Sequence, residues 1–459
     1  DGGLVITGAG LEEIRLRPGA YKVSADRDGK PVPLERELVS ISKGGREVVN
    51  VKLESPTPPV VARANKGAFV LLAAGKERKF DTLAEAVLCA SDGDTIEVRG
   101  NGPFVTEPIT IGNGALTIRA GDRYRPVIKS TTRGDARNLL QSQGQLVLEG
   151  LELHGTGVGC TIVHTEPGPL HVANCRFVLR GSASLSRSFG TVRNCEFVSA
   201  SNAYTVHVYA HLSNGGTMRF ENNVISSPNG HALGLVWCRQ DLHDAAIHLK
   251  HNTVATPNFK IWHSLREIPQ AAQPGAAPGR QPLRMHVTAN LFHSLDPTEN
   301  GFFVLSIDEL SAKEAERLLP RLMDWREERN LYCKGQSFQW IQRVKDLSAP
   351  KREIIREPLP GCQTLADWQR FWKASDSGSM QGVIRYEGGD VFAKLKSAPE
   401  RVTAADFRLR ADSAGYRAGK DGKDLGADVD LVGPGSAYER WKKTPDYQRW
   451  LQVTGQGKK

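Results

Sequence analysis

A five-residue unit recurs along the middle of this chain. Its clearest copies are residues 173–177 (Ala-Asn-Cys-Arg-Phe) and 193–197 (Arg-Asn-Cys-Glu-Phe). Looser copies end at Leu153, Ile225, Val254, Phe292 and Tyr332. The third residue of each copy is Cys, Asn or Leu, and the fifth is apolar. These two positions share one face of a strand, and a unit this short buries that face only when copies stack.

The spacing of the copies predicts a solenoid of stacked coils. The fifth positions are 20–29 residues apart, except for the last two steps of 38 and 40 residues. The first long step contains a Pro/Gly/Ala-rich stretch, 268–282, which we predict to be a surface loop inserted into one coil. The second contains residues 311–330, which begin with the capping-box pattern Ser-Ala-Lys-Glu and predict an inserted helix with a kink at Pro320.

Stacked coils place equivalent residues in columns. We expect one column of asparagines in which each side chain bonds the next coil, at about 1 kcal/mol net per bond. This column contains Asn223, Asn252, Asn290 and Asn330. Cys175 and Cys195 fall in the same column as small buried residues. The next column begins with Glu152, Arg176 and Glu196, which we expect to form a charge ladder on the surface.

The sequence outside the repeats divides into four parts. Residues 1–54 contain short alternating strands separated by Gly-containing turns, which predict a small β-sandwich. Residues 55–66 are a Pro-rich linker, 67–435 contain the coils, and 436–459 form a C-terminal amphipathic helix and tail.

Several segments resemble known families. An amphipathic helix near residues 83–90, the run Asp92-Gly-Asp-Thr-Ile96, the Asn-Cys-x-Phe coils and the closing run Asp424-Leu-Gly-Ala427 resemble the pectin-lyase-like right-handed parallel β-helix superfamily over residues 67–432. The Pro18-Gly19 turn before a Tyr-containing strand resembles PEGA-type modules. The resemblance implies an all-β fold: a right-handed parallel β-helix preceded by a small β-sandwich, with short capping and inserted helices.

The order of these parts resembles the extracytoplasmic C-terminal portion of planctomycete-type membrane serine/threonine protein kinases. That resemblance implies an extracytoplasmic location, periplasmic or at the cell surface, with a kinase domain and a membrane tether before Asp1. The sequence itself holds no run of 18 apolar residues and none of the kinase catalytic motifs.

The net charge is +9, and the basic residues are scattered. The densest basic cluster consists of Arg119, Arg123, Arg125, Lys129, Arg133 and Arg137. This cluster is either a solvated face or a contact for an acidic polymer. No nucleic-acid-binding motif accompanies the charge.

The seven cysteines have no metal-ligand spacing, and a Cys175–Cys195 bridge between adjacent coils is geometrically allowed.

Polysaccharides are cleaved by hydrolysis or by elimination, and each reaction needs its own set of residues. Glycoside hydrolysis needs paired carboxylates, whereas Glu149 and Glu221 share a column three coils apart, at roughly 14 Å. A lyase needs a basic proton abstractor and calcium held by clustered acids, and Arg176, Arg193 and Arg219 are candidate bases. Calcium is therefore expected only for the lyase alternative, and otherwise no cofactor or metal is expected.

Histidine is confined to the coils, since all twelve lie between His154 and His293. One group of ligand-binding candidates combines histidines with aromatic and acidic residues: His207, Tyr209, His211, Trp237, Asp241 and His243. The first three share a strand face and the others follow one coil later. This group either lines a groove that binds sugar or metal, or stacks within the coils.

The sequence therefore predicts a non-catalytic extracytoplasmic module that binds carbohydrate or a cell-surface polymer. A polysaccharide-active enzyme, lyase before hydrolase, and a structural stalk are the alternatives.

Overall fold

The computed structural model describes most of the chain after residue 65. The described residues are 17–22, 25–27, 30–32, 38–41, 66–131, 139–155, 163–165, 168–179, 183–185, 189–199, 208–211, 215–228, 231–237, 244–256, 258–265, 282–295, 302–307, 312–344, 354–358, 362–374 and 377–457. The chain divides into two compact units, 1–64 and 65–459. Nearly all of the predicted linker (55–66) and of the predicted loop insert (268–282) lies outside the described residues.

The first unit contains two described pairs of antiparallel strands. Strand β1 (Gly19–Lys22) pairs with β4 (Leu38–Ile41), and β2 (Ala25–Arg27) pairs with β3 (Lys30–Val32). The other strands predicted for a sandwich lie outside the described residues.

The second unit is built around an eleven-stranded sheet. Its strands are β5 (Phe69–Ala73), β6 (Lys76–Phe80), β7 (Asp94–Val98), β10 (Leu116–Ala120), β13 (Leu146–Glu149), β16 (Leu170–Ala173), β19 (Gly190–Arg193), β22 (Thr217–Glu221), β25 (Ala246–Lys250), β28 (Leu283–Thr288) and β31 (Met323–Glu328). Strands β7 to β31 are parallel, and the hairpin β5–β6 adds two antiparallel strands at the first edge.

A ten-stranded sheet is entirely parallel. Its strands are β8 (Phe104–Thr106), β11 (Val127–Ser130), β14 (Glu152–His154), β17 (Arg176–Leu179), β20 (Glu196–Ser199), β23 (Val224–Ser226), β26 (Thr253–Ala255), β29 (Leu291–His293), β32 (Leu331–Cys333) and β35 (Met380–Gly382).

Three consecutive strands form one layer: the first lies in the eleven-stranded sheet, the second in the ten-stranded sheet, and the third in one of two smaller sheets. A three-stranded sheet contains β9 (Ile109–Ile111), β12 (Leu140–Ser142) and β15 (Val163–Thr165). A seven-stranded sheet contains β18 (Ala183–Leu185), β21 (Val208–His211), β24 (His231–Trp237), β27 (Asn258–Leu265), β30 (Phe303–Ile307), β33 (Gln339–Val344) and β34 (Ile354–Pro358). Between β7 and β32, each strand pairs with the strand that follows three places later in the chain, whenever both belong to the same sheet. The protein is therefore mostly β, with long parallel sheets and few helices.

Six short α-helices complete the described part of the second unit. They are α1 (Leu83–Leu88), α2 (Ala312–Leu322), α3 (Leu365–Phe371), α4 (Val391–Ser397), α5 (Ser436–Trp441) and α6 (Pro445–Val453). Single 3₁₀ turns cover Pro399–Arg401, Ala404–Phe407 and Val429–Leu431. No helix in these described stretches is long and apolar enough to cross a membrane.

Two predicted helix boundaries were wrong. Helix α2 ends at Leu322 instead of continuing to residue 330, because β31 begins at Met323 and joins the eleven-stranded sheet with Trp325 buried. The C-terminal helix is divided into α5 and α6, because Pro445 starts a new helix and has no backbone N–H to continue the preceding one.

The predicted interior columns are confirmed. Phe177 and Phe197 are partners in register, with ring centroids 4.7 Å apart and an interplanar angle of 4°. The amide of Asn223 donates to Asn252 Oδ1 at 2.9 Å, and the amide of Asn252 donates to Asn290 Oδ1 at 2.9 Å. Asn290 bonds Asn330 in the same way at 3.0 Å. Each layer is thus tied to the next by a buried amide.

The prediction of a surface charge ladder was wrong. Arg176 and Glu196 are each only 4% exposed. The C-terminal segment, residues 383–457, covers them: Arg176 Nη2 donates to the carbonyls of Glu400 and Val402 at 2.9 and 3.0 Å. These residues do point out of the sheet, but a later part of the chain lies over them.

The C-terminal segment runs back along the turns that join the two large sheets. Gly426 N–H donates to the Ala289 carbonyl, Asp428 N–H to Asn222 Oδ1, and Gly433 N–H to the Asn194 carbonyl. The turn asparagines Asn194 and Asn222 have φ of 53° and 56°, a left-handed conformation that Asn tolerates. The segment therefore starts at the last layer and returns toward the first, where α5 and α6 pack.

Candidate ligand-binding face

The predicted histidine and aromatic group is described only in part. Tyr209 and His211 lie on β21, and Trp237 ends the adjacent strand β24. In register, Tyr209 pairs with Gly234 and His211 with Val236. His207, Asp241 and His243 lie outside the described residues. The structure thus brings the two strands together, and the ligand groove stays a prediction.

The predicted basic cluster is distributed over two sheets. Arg119 lies on β10, with its Nη2 3.3 Å from Glu97 Oε2. Arg125 makes two bonds to Glu152 Oε2, at 3.1 and 2.7 Å. Lys129 lies on β11 of the ten-stranded sheet, and Arg123 is in the preceding turn. Arg133 and Arg137 lie outside the described residues. Of the members that the structure describes, two are thus paired with acids, and the set does not form one open patch.

The outward face of the eleven-stranded sheet presents a continuous column of side chains in register. Its members, in layer order, are Thr117, Val147, His171, Thr191, Arg219, His248, His286 and Arg326. The first four are buried and the last four are partly or fully exposed. The column is therefore divided into a covered half and an open half.

Helices α5 and α6 cover the first half and enclose Glu149, which is 0% exposed. Its carboxylate accepts bonds from the Tyr438 hydroxyl at 2.6 Å, Trp450 Nε1 at 2.8 Å and Gln456 Nε2 at 2.8 Å. The adjacent Gly150 has φ of 69°, and a Cβ there would lie 2.6 Å from the Tyr438 ring. Glu149 therefore holds the helices and is closed to any ligand.

The surroundings of Glu149 shift the acidities of its neighbours. Burial and the negative charge of Glu149 raise the pKa of Tyr447 to about 12, and the pKa of Tyr438 is raised well above its usual value for the same reasons. Burial acts to lower the pKa of Arg119, but its electrostatic interactions with the Tyr438 phenol and the Glu149 carboxylate outweigh it, so the net shift is upward. Both tyrosines consequently remain neutral donors at physiological pH.

His171 is the covered histidine of this column. Its ring meets Trp450 edge-on, with centroids 5.8 Å apart. Its Nδ1 atom has no hydrogen-bond partner among the described residues. Burial lowers the pKa of His171 to about 4, so the ring is uncharged beneath the helices.

The open half contains a stacked pair of imidazoles between two arginines. The rings of His248 and His286 lie 4.6 Å apart with an interplanar angle of 9°. Burial, together with the charges of His286 and Arg219, lowers the pKa of His248 to about 4. Burial and the charge of Arg326 also lower the pKa of His286. The pair is therefore neutral near pH 7 and presents hydrogen-bonding nitrogens.

The open half also carries cations that form no ion pair, although Glu221 is the register partner of Lys250 and Asp324 that of Arg284. Arg326 bonds Asp324 at 2.8 Å, and Arg193 bonds Asp446 at 3.2 Å. Within the part of the chain that the structure describes, no acidic side chain forms an ion pair with Arg219, Lys250 or Arg284. We use the term open face for Arg219, His248, Lys250, Arg284, His286 and Arg326.

The carboxylates of the same face do not form a hydrolytic pair. Glu149 and Glu221 lie in one register column, separated by Ala173 and Arg193, as predicted. Glu149 is sealed under α5 and α6, so the two cannot meet one substrate. Among the described residues, no group of three or more His, Cys, Asp or Glu side chains could hold a metal ion.

The sequence matches none of the protein-family models with which it was compared, and a search of the curated proteins found no match either. The fold and site therefore define the chain at the level of class: a mostly β protein with long parallel sheets and an open face that carries arginines and a stacked histidine pair.

Sequence reasoning named Arg219 and missed the histidines beside it. Successive members of the set Arg219, His248, His286 and Arg326 lie 29 to 40 residues apart in sequence, so no local motif groups them. The signal was present in the repeat itself. Each lies four residues before an asparagine of the ladder, as Arg219 lies four before Asn223. Aligning the copies by that asparagine would have placed all four in one column.

Proposed function

We propose that this chain is a right-handed parallel β-helix module that binds an acidic carbohydrate or another acidic cell-surface polymer along its open face. The observation that carries the proposal is the column from Arg219 through His248 and His286 to Arg326, flanked by Lys250 and Arg284, which form no ion pair among the described residues.

A β-helix is a more specific description of the fold than long parallel sheets, and it is part of this proposal. Support comes from layers of three strands in which each strand pairs with the strand three places later. Crossover connections between parallel strands of one sheet are right-handed in nearly all proteins, because strand twist favours that hand. The confirmed stacking of Phe177 on Phe197 shows that successive layers are in register.

A polymer suits the open face better than a compact ligand does. Adjacent layers of a parallel sheet are about 4.8 Å apart, so the four-residue column extends over roughly 14 Å. Guanidinium groups bind carboxylate and sulfate oxygens through paired hydrogen bonds. The neutral imidazoles between the arginines supply donors and acceptors for hydroxyl groups. An extended chain with acidic groups and hydroxyls matches this order of side chains.

The kinship with membrane serine/threonine kinases is a further part of the proposal. It is supported by the order of a PEGA-like module, a Pro-rich linker and a coil region, and it gives the module a sensing role outside the cytoplasm. A membrane-spanning segment and a kinase domain encoded before Asp1 would agree with it, and a secreted enzyme precursor there would contradict it.

Binding to a panel of polysaccharides tests the function. We expect the protein to bind sulfated and uronate-containing polymers, and to bind neutral glucans with at least tenfold lower affinity. The triple variant Arg219→Ala, Lys250→Ala, Arg284→Ala should lose at least tenfold in affinity, which is about 1.4 kcal/mol. The matched control replaces three exposed lysines away from the face: Lys66, Lys76 and Lys79.

The control separates specific recognition from net charge, because both variants remove three positive charges. Equal losses in the two variants, or equal binding of neutral and acidic polymers, would refute the proposal. A third variant, with His207, Tyr209 and His211 replaced by Ala, tests the other candidate group. Loss of binding there with no effect at Arg219 would move the site to the seven-stranded sheet.

A further inference from the structure

Glu196 lies where the C-terminal segment meets the ten-stranded sheet. It is on β20, in the outward column that joins Glu152, Arg176 and Val224 in register. The 3₁₀ turn Pro399–Arg401 packs against β20. A Cβ on Gly433 would lie 3.8 Å from Glu196 Oε2. The carboxyl is therefore enclosed partly by the sheet and partly by the segment.

The enclosed carboxyl has poor hydrogen bonding. Glu196 Oε1 has no hydrogen-bond partner among the described residues, and Oε2 is 3.7 Å from Arg176 Nε, which also has none. Arg176 uses its Nη2 to hold the carbonyls of Glu400 and Val402. An ionised carboxylate without hydrogen bonds is costly to bury, whereas the same group in water is well solvated.

We propose that docking of residues 399–433 on the ten-stranded sheet is linked to protonation of Glu196. The segment docks most tightly when the Glu196 carboxyl carries a proton, and it opens more often when the carboxyl is ionised. The chain thus contains a proton-dependent latch between its C-terminal segment and its parallel sheets.

The charged groups around Glu196 indicate that Glu196 itself is the group whose protonation changes when the segment docks. Burial raises the pKa of Glu196 to about 7; Arg176 and Arg125 act to lower it, and Glu152 and Asp406 act to raise it. Glu152 is held by His154 and Arg125, both in the sheet region. Asp406 is held by Lys394 and Thr403, both within the C-terminal segment. Opening of residues 399–433 leaves the bonds of Glu152 and the Thr403–Asp406 bond intact and changes the surroundings of Glu196. Loss of the Lys394 bond would return the pKa of Asp406 toward its ordinary 3.8, below the range in which Glu196 titrates.

The sign of the effect follows from the two pKa values of Glu196. The docked pKa is about 7, above the ordinary value of 4.5, so the docked state holds more protons between these limits. Docking is therefore fully favoured below pH 4.5, weakens as the pH rises toward 7, and is constant above that. The opening equilibrium should change up to about 300-fold across this range, or about tenfold per pH unit.

Hydrogen–deuterium exchange of the whole chain measures this opening directly. Exchange rates of peptides from residues 399–433, corrected for the intrinsic effect of pH, should rise between pH 5 and 7 and then level off. Glu196→Gln should remove the pH dependence and keep the segment protected, because the amide is neutral at every pH. The matched control is Glu400→Gln, an exposed acid within residues 399–433, which should behave like the wild type.

Two outcomes would overturn the latch: corrected exchange that does not change with pH in the wild type, or a pH dependence that persists in Glu196→Gln. If Glu196→Gln does not fold, infrared spectroscopy of the wild type decides. A buried protonated carboxyl band present at pH 6 and absent at pH 8 supports the latch, and its absence at pH 6 refutes it.

Discussion

The Tyr438 hydroxyl donates a 2.6 Å hydrogen bond to Glu149 Oε2, across 289 residues of sequence. Together with the bonds from Trp450 and Gln456, it fixes the end of the chain to a layer near the start of the coils. The same C-terminal segment also contacts one of the last layers, because Gly426 N–H donates to the Ala289 carbonyl. One segment thus joins early and late layers, which nearest-neighbour stacking alone does not do.

Replacing Glu149 with Ala should strongly destabilise the second unit. The change removes the common acceptor and leaves the donors of Tyr438, Trp450 and Gln456 buried without partners. We expect the free energy of unfolding to fall by about 3–5 kcal/mol. Urea denaturation followed by tryptophan fluorescence measures it, since Trp450 and Trp441 lie in the affected helices.

Glu221→Ala is the matched control in the same register column. Glu221 has a side chain 29% exposed and lies 3.9 Å from Arg193, so its loss should cost less than about 1 kcal/mol. Similar losses in the two variants would show that the bonds to Glu149 do not fix the helices.

The layered part of the fold was predictable because the repeat encodes it. Phe177 and Phe197 occupy the same place in two copies, so stacking the copies stacks their rings. The burial of Arg176 and Glu196 was not predictable in this way. The carbonyl of Glu400 that bonds Arg176 is 224 residues away, in a segment that has no repeat. Local pattern specifies which way a side chain points, and a distant, irregular segment decides whether it stays in water.

Replacing Asn252 with Ala should weaken the stacking of layers. The Asn252 side chain accepts from the backbone N–H and the amide of Asn223, and donates to the Phe220 carbonyl and to Asn290. Its loss leaves a buried N–H and a buried carbonyl unpaired, which should cost about 2–4 kcal/mol. Thermal and urea unfolding measure the effect.

Asn113→Ala is the control for the ladder, because Asn113 is exposed in a turn. Its cost should stay within about 0.5 kcal/mol. An Asn252 variant as stable as the Asn113 variant would mean that the ladder contributes nothing to stability.

The cysteines should differ sharply in reactivity. Cys89 is exposed, whereas Cys175, Cys195, Cys333 and Cys362 are buried free thiols, so the bridge allowed for Cys175 and Cys195 is not formed. Burial raises the pKa of Cys195 to about 12 and that of Cys175 well above its usual value, so neither forms much thiolate. Iodoacetamide should modify Cys89 in the native protein and reach Cys175 and Cys195 only after denaturation. Peptide mass spectrometry reads each site, and a recovered Cys175–Cys195 disulfide peptide would contradict this.

Binding to a sulfated polymer should respond to salt and acid in a defined way, if the open face is the site. Sulfate stays ionised throughout the range, so pH acts through the protein. The pKa of His248 is about 4 and that of His286 is lowered from 6.5, so the imidazole pair is neutral from pH 8 to 7 and affinity should be constant there. At lower pH the pair begins to gain charge, and an anionic ligand favours the charged form, so affinity should rise by pH 4.5. Added NaCl should weaken binding at every pH.

The double variant His248→Gln, His286→Gln should abolish the rise in affinity at acid pH and preserve the effect of salt. Calorimetry measures the affinity, and circular dichroism confirms folding. An acid rise that survives this double variant would place the responding groups elsewhere in the chain.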